Sequence, residues 1–588
     1  MTRIANISPI MFKANAGAKP ADNRTGNKFQ TYPNEENNNV TNKYLDNLAM
    51  INTPAVKKVE NQANNAQNYH NNLRSMIQNN QTVMLAIVPR IFNAKDLDGD
   101  DRISIKSGEQ VGTFLNAIDR LDELKNDGIN TIHILPIHPT GKKNAMGTAG
   151  SLYSPLKFIE DNGDLAIDPM LIDKNDSRTP NEQFKAFIDE CHKRNIKVML
   201  DLPSCASVEL FEAEPELMAF GRNGEDKTPQ GWEDIRMFEP WADETNRDLN
   251  PALYEMHRQY VDACIDLGID GIRADVARAK PTEFWDKLIS YSHTKDPEFG
   301  WLAESYTYEC ASPMINMPFD RPEDLLKAGF DEYYGQYHIF HDWRGASEFM
   351  DYIKMNLDLS HKLPAGKSVI GSFLTHDDVS SMLHGGENFC KLTTVLQSTI
   401  PMCNPYFVDG FQTGDYYDYK YRNTVDPETR TDRPESNEHR YHLAIFNLAR
   451  KPGGDAPDIE RVIQGCTKMR AENSDVLADR NSSFIELDKR EDINDQIITF
   501  ARHNNGRTIL VVANKNPNRN VTGIIEIPGL KKEQKLVNMV PEYGEKSEFQ
   551  TSNNELKVNL APADAYVFEI DTPNIEEDRK GHAFKQKV

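Results

Sequence analysis

Acidic residues close four short apolar runs. Asp201 ends VMLD, Asp275 ends GIRAD, Glu304 ends WLAE, and Asp377 and Asp378 end FLTHDD. Arg273 stands two residues before Asp275, so both side chains leave an extended strand on the same side. His376 directly precedes Asp377, and His138 follows the run ILPI. Several carboxyl groups around one pocket suit the cleavage of an acetal. One attacks the anomeric carbon, and a second, protonated, gives its proton to the leaving oxygen. A guanidinium beside a carboxylate keeps it ionised, as a nucleophile must be, which favours Asp275 for attack. The acid needs an apolar or anionic neighbourhood to hold its proton near neutral pH. Glu304, among Trp301, Leu302, Ala303 and Tyr306, is the residue expected to do so. A single Asp after a strand is a common helix cap, so the argument rests on the set.

Such groups meet only if their strands run side by side. From residue 81 onward, apolar runs alternate with helix-like stretches: QTVMLAIVPRIF, INTIHILPI, IKVMLDLP, IDGIRADV, GWLAES, FDEYYG, KSVIGSFLTHDD and MCNPYFVDG. Continuous apolar strands between helices predict a parallel sheet buried on both faces. Eight such units predict a closed (β/α)8 TIM barrel, with its reactive residues at the C-terminal ends of the strands; a doubly wound sheet is the alternative. The barrel is expected over 81–478, with a loop excursion at about 203–250. Short strands such as TILVVANK and AYVFEID, without long helices, predict an antiparallel β-sandwich over 479–572, and 573–588 reads as a polar tail. Residues 1–80, with NEENNNVTN and NQANNAQNYHNN, read as a disordered Asn-rich leader.

The 588-residue chain carries 67 Lys and Arg against 90 Asp and Glu, a net charge of −23. That excludes nucleic acid and an anionic membrane as natural partners and suits a neutral substrate. No apolar run reaches membrane-spanning length and no signal sequence is read, so the expected location is cytoplasmic. Seven scattered cysteines without a CxxC pair argue for free thiols in a reducing compartment. The sequence sets no oligomeric state.

The four segments resemble, in order, those of the α-amylase superfamily, family 13 of the glycoside hydrolases. The strongest stretch is DLNPALYEMHRQYVDACIDLGIDGIRADVARAKPTEFW; VMLDLP, WLAES and FLTHDDVS follow the same pattern. The resemblance spans roughly residues 81–572. It implies a retaining enzyme acting on α-glucans or maltooligosaccharides through a covalent glycosyl-enzyme intermediate. In it Asp275 is the nucleophile, Glu304 the general acid/base and Asp377 the transition-state stabiliser. Asp377 is preferred because it keeps the His-Asp pair with His376; counting from Phe373 favours Asp378. Arg273 would hold the nucleophile, Asp201 would support the barrel mouth, and His138 and Tyr153 would line the sugar site. The Asn-His pair expected after Asp201 is replaced by Cys205 and Ala206. With LPIHPTG and AKPTEFW, that departure resembles the branch of maltosyltransferases that use maltose 1-phosphate. Transglycosylation, including an amylosucrase-like transfer, is therefore the alternative to hydrolysis, and a non-catalytic glucan-binding homologue is a further one.

No cofactor is required for this chemistry. KDLDGDDRIS does place Asp96, Asp98 and Asp100 at alternating positions around a glycine, a pattern that can wrap a hard cation. Gly and Glu of an EF-hand are missing at 101 and 107, and the loop instead resembles the structural calcium loop of several family members. Trp232, Trp241, Trp301, Tyr334 and Trp343 are candidate platforms for glucan rings.

Overall fold

The computed structural model describes residues 69–579 except 101–102, 147–148, 222, 230–231, 307–321, 365, 416–456, 531 and 544–548. Most of the Asn-rich leader, residues 1–68, lies outside the described residues, as does the end of the tail.

Strands β1 (Met84–Ile87), β2 (Thr131–Ile134), β3 (Lys197–Leu202), β4 (Gly271–Ala274) and β5 (Gly300–Ala303) are buried along their whole length. They continue through β6 (Glu332–Tyr333), β7 (Ser368–Ile370), β8 (Cys403–Asn404) and β9 (Tyr406–Val408). All neighbours are parallel. β8 pairs with β7 and β9 with β1, with Met84 opposite Tyr406. The two ends of the sheet are thus one stretch of chain, divided at Pro405, which has no N–H to give a ladder. The sheet closes on itself, and β8 and β9 act as the eighth strand of a TIM barrel.

The helices behave as their sequences require. Pro180–Lys193 starts at a Thr179/Glu182 capping box and buries Phe184, Phe187, Ile188 and Cys191 on one face. Pro251–Leu267 is capped by Asn250 and stops at Gly268, whose φ of 90° suits glycine. The excursion after β3 forms two small hairpins, Cys205–Ser207 with Ile235–Met237 and Trp241–Asp243 with Asp248–Leu249. The C-terminal part is a sandwich of two antiparallel sheets, four-stranded and five-stranded, around Ile497, Leu510, Val512, Ile525, Leu556 and Phe568.

Residues 69–80, read from composition as part of the leader, belong to the folded barrel. Helix Leu73–Gln78 lies across the barrel floor with Leu73 and Ile77 fully buried. Asn71 bonds the Asp270 carbonyl, and Arg74 and Gln78 both reach Asp331. Gly300 makes the fit possible, since a Cβ there would stand 3.0 Å from both Leu73 Cγ and Ile77 Cδ1.

Glu332 is buried beneath this helix, with Asn404 Nδ2 donating to its Oε2 at 3.0 Å. Burial pushes its carboxyl up to about 8. A raised carboxyl supports the fold at low pH, and that support is lost as pH climbs from the unfolded value through the folded one. Above pH 8 the loss reaches about 5 kcal/mol by linkage. Glutamine keeps the acceptor for Asn404, at a cost of about 1–3 kcal/mol for its extra buried N–H. Glu332→Gln is therefore expected to melt higher than the parent at pH 9 and not at pH 5. Equal melting shifts at both values would contradict the burial argument.

Candidate active site

The catalytic candidates converge at the C-terminal mouth of the barrel because they sit on or just after neighbouring strands. Arg273, on β4, is the hub. Its Nη1 donates to Asp201 Oδ1 at 2.9 Å and Oδ2 at 3.0 Å, and to Asp275 Oδ1 at 3.1 Å. Its Nη2 pairs with Glu304 Oε2 at 2.9 Å. Guanidinium and Asp201 are both fully buried. Asp201 also accepts from the Tyr153 hydroxyl at 2.9 Å, while Tyr153 takes a bond from His376 Nε2 at 2.7 Å. Since Tyr153 gives its one proton to Asp201, His376 must donate through Nε2.

Asp275 is held from two sides. Besides Arg273, the Ser204 N–H donates to its Oδ2 at 3.0 Å, and the Ser204 hydroxyl bonds the Asp275 carbonyl. The chain then turns sharply. Val276 has φ 35° and ψ 60°, a left-handed conformation that costs a β-branched residue about 1–3 kcal/mol. The turn aims the Val276 N–H at Glu304 Oε2, 2.6 Å away. Tyr306 completes this carboxylate by donating to Oε1 at 3.2 Å. The carboxyl has three polar partners and lies beside the acidic Asp275 and Asp377, the anionic side of the expected neighbourhood, while the Trp301 ring packs away from it on Trp285 and Phe330.

Asp201, Asp275, Glu304 and Asp377 share a space with one guanidinium, so they cannot all be ionised without strong repulsion. Burial, and then Glu304, push Asp275 well above the usual carboxylate range, against the pull of Arg273. Burial and Glu304 raise Asp377 in the same way. Asp201 moves down, because Arg273 and His133 outweigh its burial. The cluster therefore retains a proton at a pH where free carboxyls have lost theirs.

Asp377 and Asp378 are separated by the turn they share. Asp378 Oδ2 accepts from the Thr375 N–H at 2.9 Å and hydroxyl at 2.7 Å, so it closes its own loop. Asp377 instead lies 3.5 Å from His376 Nε2 and acts electrostatically on Tyr153 and Tyr306. His138 stands one layer back. Its Nδ1 bonds the Ala166 carbonyl at 2.7 Å, its ring packs on Phe158 and Tyr260, and burial lowers it to about 4, so it is a neutral packed imidazole. Trp301, Tyr334 and Trp343 are core residues rather than platforms; Trp232 and Trp241 keep partial exposure.

Two contributors, Ser204 and His133, escaped the sequence reading, and Tyr334 was read there as a glucan platform. Ser204 and Tyr334 touch Asp275 and Arg273, and His133 on β2 touches Asp201. His133 carried a signal: an imidazole inside the apolar run INTIHILPI must find polar partners within the barrel.

In the acidic loop, Asp96, Asp98 and Glu109 bring one oxygen each within 4.8 Å of one another. Asp100 is not in that group; its N–H caps Asp98 Oδ1 instead, and Glu109 arrives from beyond the loop. Glu109 is already fixed by the Leu97 and Ser104 N–H groups.

No protein-family profile matches the sequence. The α-1,4-glucan:maltose-1-phosphate maltosyltransferase of Corynebacterium glutamicum is 26% identical over 435 residues, covering 70% of this chain and 57% of that protein. The enzyme of the same description from Bifidobacterium animalis subsp. lactis is 24% identical over 513 residues, covering 79% and 61%. Among solved structures, a noncanonic maltogenic α-amylase from Thermotoga neapolitana superposes with a TM-score of 0.61 at 20% identity, covering 84% of this chain and all of that one. The chain shares its fold with α-amylases and is similar in sequence, at low identity, to maltosyltransferases. An α-amylase from Lactobacillus plantarum shares that fold with a TM-score of 0.59 at 16% identity, covering 84% and 99%. The chain spans about three fifths of the length of the curated relatives it matches. Among its described residues no helix is long and apolar enough to cross a membrane, and the six described cysteines are buried and free.

Proposed function

We propose that the chain is a retaining α-glucan-active enzyme in which Asp275 is the nucleophile, Glu304 the acid/base and Asp377 the stabiliser. The observation that carries this reading is the meeting of Asp275 and Glu304, from separate strand ends, on the two terminal nitrogens of Arg273. An Asp275 oxygen attacks the anomeric carbon as the glycosidic C–O bond breaks. The leaving oxygen takes a proton from Glu304, drawn from the proton the carboxyl cluster retains. Asp377 bears on the sugar hydroxyls and steadies the charge that develops at the ring. Glu304, now anionic, removes a proton from the incoming hydroxyl, whose oxygen displaces Asp275 from the anomeric carbon. The balance is one bond exchanged for another at one carbon, with no redox change and no metal in any step.

Water as the incoming group gives hydrolysis of maltooligosaccharides. A sugar hydroxyl gives transfer, and the similarity to maltosyltransferases over 70% of the chain favours testing that second reading directly. Product analysis with maltoheptaose decides, run alone, with inorganic phosphate, and with maltose 1-phosphate. Reducing sugar released alone supports hydrolysis; chain lengthening from the phosphate donor supports transfer; no change in any mixture removes both. Buried thiols suit a reducing, cytoplasmic setting.

The oxygen-only group Asp96, Asp98 and Glu109 suits a hard divalent cation by charge and donor type, and these residues would hold a structural calcium. Calcium would tie the loop after β1 together, remote from bond cleavage. Millimolar calcium is expected to raise the melting temperature of the parent by a few degrees and not that of Glu109→Gln. Equal shifts in both would remove the site.

A further inference from the structure

Arg273 is gripped on both edges, and the second grip belongs to residues that no step above uses. Its Nε donates to the Tyr334 hydroxyl at 3.0 Å. The Tyr334 and Tyr406 rings lie beside each other, their centroids 6.0 Å apart. The Tyr406 hydroxyl stands 2.9 Å from His133 Nδ1, and His133 Nε2 stands 3.2 Å from Asp201 Oδ2. Asp201 in turn receives Arg273 Nη1 at 2.9 Å. The set of contacts reaches Arg273 from both edges. It passes through β2, β3, β4, the residue after β6, and β9, so it runs around the inside of the barrel. His133, Tyr334, Tyr406, Asp201 and Arg273 are all at most 1% exposed.

Elementary valence sets the direction of each bond. Asp201 accepts only, so His133 donates through Nε2 and its Nδ1 must accept. Tyr406 therefore spends its proton on Nδ1. Tyr334 accepts from Arg273. Donor points to acceptor from Tyr406 through His133 to Asp201, and from Arg273 to both Asp201 and Tyr334. Bonds arranged head to tail in a dry interior polarise and strengthen one another.

We propose that this network, with His133 and Tyr406 as positioning residues, holds Arg273 and Asp201 in the geometry that presents Asp275 and Glu304 to the sugar. The proposal rests on the functional reading above. His133 touches no reacting atom and acts through Asp201. Its Nε2–H keeps Asp201 anionic, and anionic Asp201 fixes the edge of the guanidinium that bonds Asp275. Loss of that N–H lets Asp201 take a proton sooner as pH falls, and Arg273 then loses its anchor.

Three variants test the network. Tyr406→Phe removes one hydroxyl, His133→Phe removes both imidazole bonds, and His133→Gln keeps a donor toward Asp201. His133→Phe is expected to lower kcat on maltoheptaose by about ten-fold or more with KM little changed. It should also move the acid limb of kcat/KM to higher pH. His133→Gln should recover most of both effects. The Tyr406→Phe/His133→Phe double variant should be no slower than His133→Phe alone, since the second cut falls on a path already broken. Multiplied losses in the double variant, or an unmoved acid limb, would overturn the proposal. A separate readout needs no turnover. Nitrogen-15 NMR of histidine-labelled protein should find His133 as the neutral Nε2–H tautomer from pH 5 to 8. A protonated Nδ1 in that range would refute the network even if glucan turnover is observed. Absence of glucan turnover alongside the expected tautomer would instead remove the functional reading and leave the hydrogen-bond network standing.

Discussion

Asp275→Asn is expected to abolish turnover of maltooligosaccharide and, at the same time, to make the protein harder to melt. The first effect follows from the chemistry. An amide cannot form the glycosyl ester, and loss of a nucleophile removes about four orders of magnitude in kcat or more. The second follows from the electrostatics. Asp275 is buried beside Glu304, and both causes push its carboxyl upward, against Arg273. A group whose folded value is raised supports the fold below its unfolded value, and that support is lost as pH rises through the folded one. At neutral pH and above, the native cluster is therefore under strain that asparagine relieves, since it has the same shape and no charge. Melting curves of parent and variant should separate by a few degrees at pH 8 and draw together at pH 4–5. Ser204 N–H still finds the amide oxygen as an acceptor, so the backbone around Val276 keeps its turn. Retained turnover would remove Asp275 as nucleophile. A variant that is inactive but melts lower at pH 8 would leave the nucleophile standing and contradict the charge argument. A merely structural aspartate predicts the opposite pairing, with stability lost and chemistry kept.

The parallel sheet was legible because its strands are continuous apolar runs between helices; closure into a barrel rested on the count of eight units, with a doubly wound sheet as the alternative. Arg273 and Asp275 were legible together because residues two apart in a strand share a face. Which of Asp377 and Asp378 the Thr375 N–H and hydroxyl would capture was not, since both are adjacent to the same turn. The polar partners of Glu304 were hidden for a related reason. Its chain neighbours are apolar, but its carboxyl reaches past them to Arg273 and to a backbone N–H that only the strained Val276 turn exposes. Helix Leu73–Gln78 was hidden by composition, because two buried apolar side chains suffice to seat it where Gly271 and Gly300 leave room. Partnerships such as His133 with Tyr406 join residues 273 positions apart and carry no local pattern at all.

The same long-range geometry makes Glu304→Gln the sharper test of roles. Glutamine keeps the size and can still accept from the Val276 N–H, but it gives no proton to a leaving oxygen and takes none from an incoming one. Hydrolysis of an unactivated maltooligosaccharide needs both services and should fall by about three orders of magnitude or more. A maltosyl fluoride or nitrophenyl maltoside leaves without a proton, so formation of the glycosyl-enzyme from it should survive largely intact. Its breakdown by water should not, because the base is gone, and a burst of one leaving group per enzyme should precede a slow steady state. Azide needs no deprotonation to attack, so adding it should restore turnover of the activated donor and yield a glycosyl azide of retained configuration. A difficulty lies in Arg273, whose Nη2 loses its carboxylate partner in the variant. That loss loosens the guanidinium and slows every substrate alike, whereas the missing proton slows only those with poor leaving groups. The ratio of the two rates therefore isolates the acid role from the positioning role. Equal losses on activated and unactivated donors, with no response to azide, would reduce Glu304 to an anchor for Arg273 and send the search for the acid to Asp377.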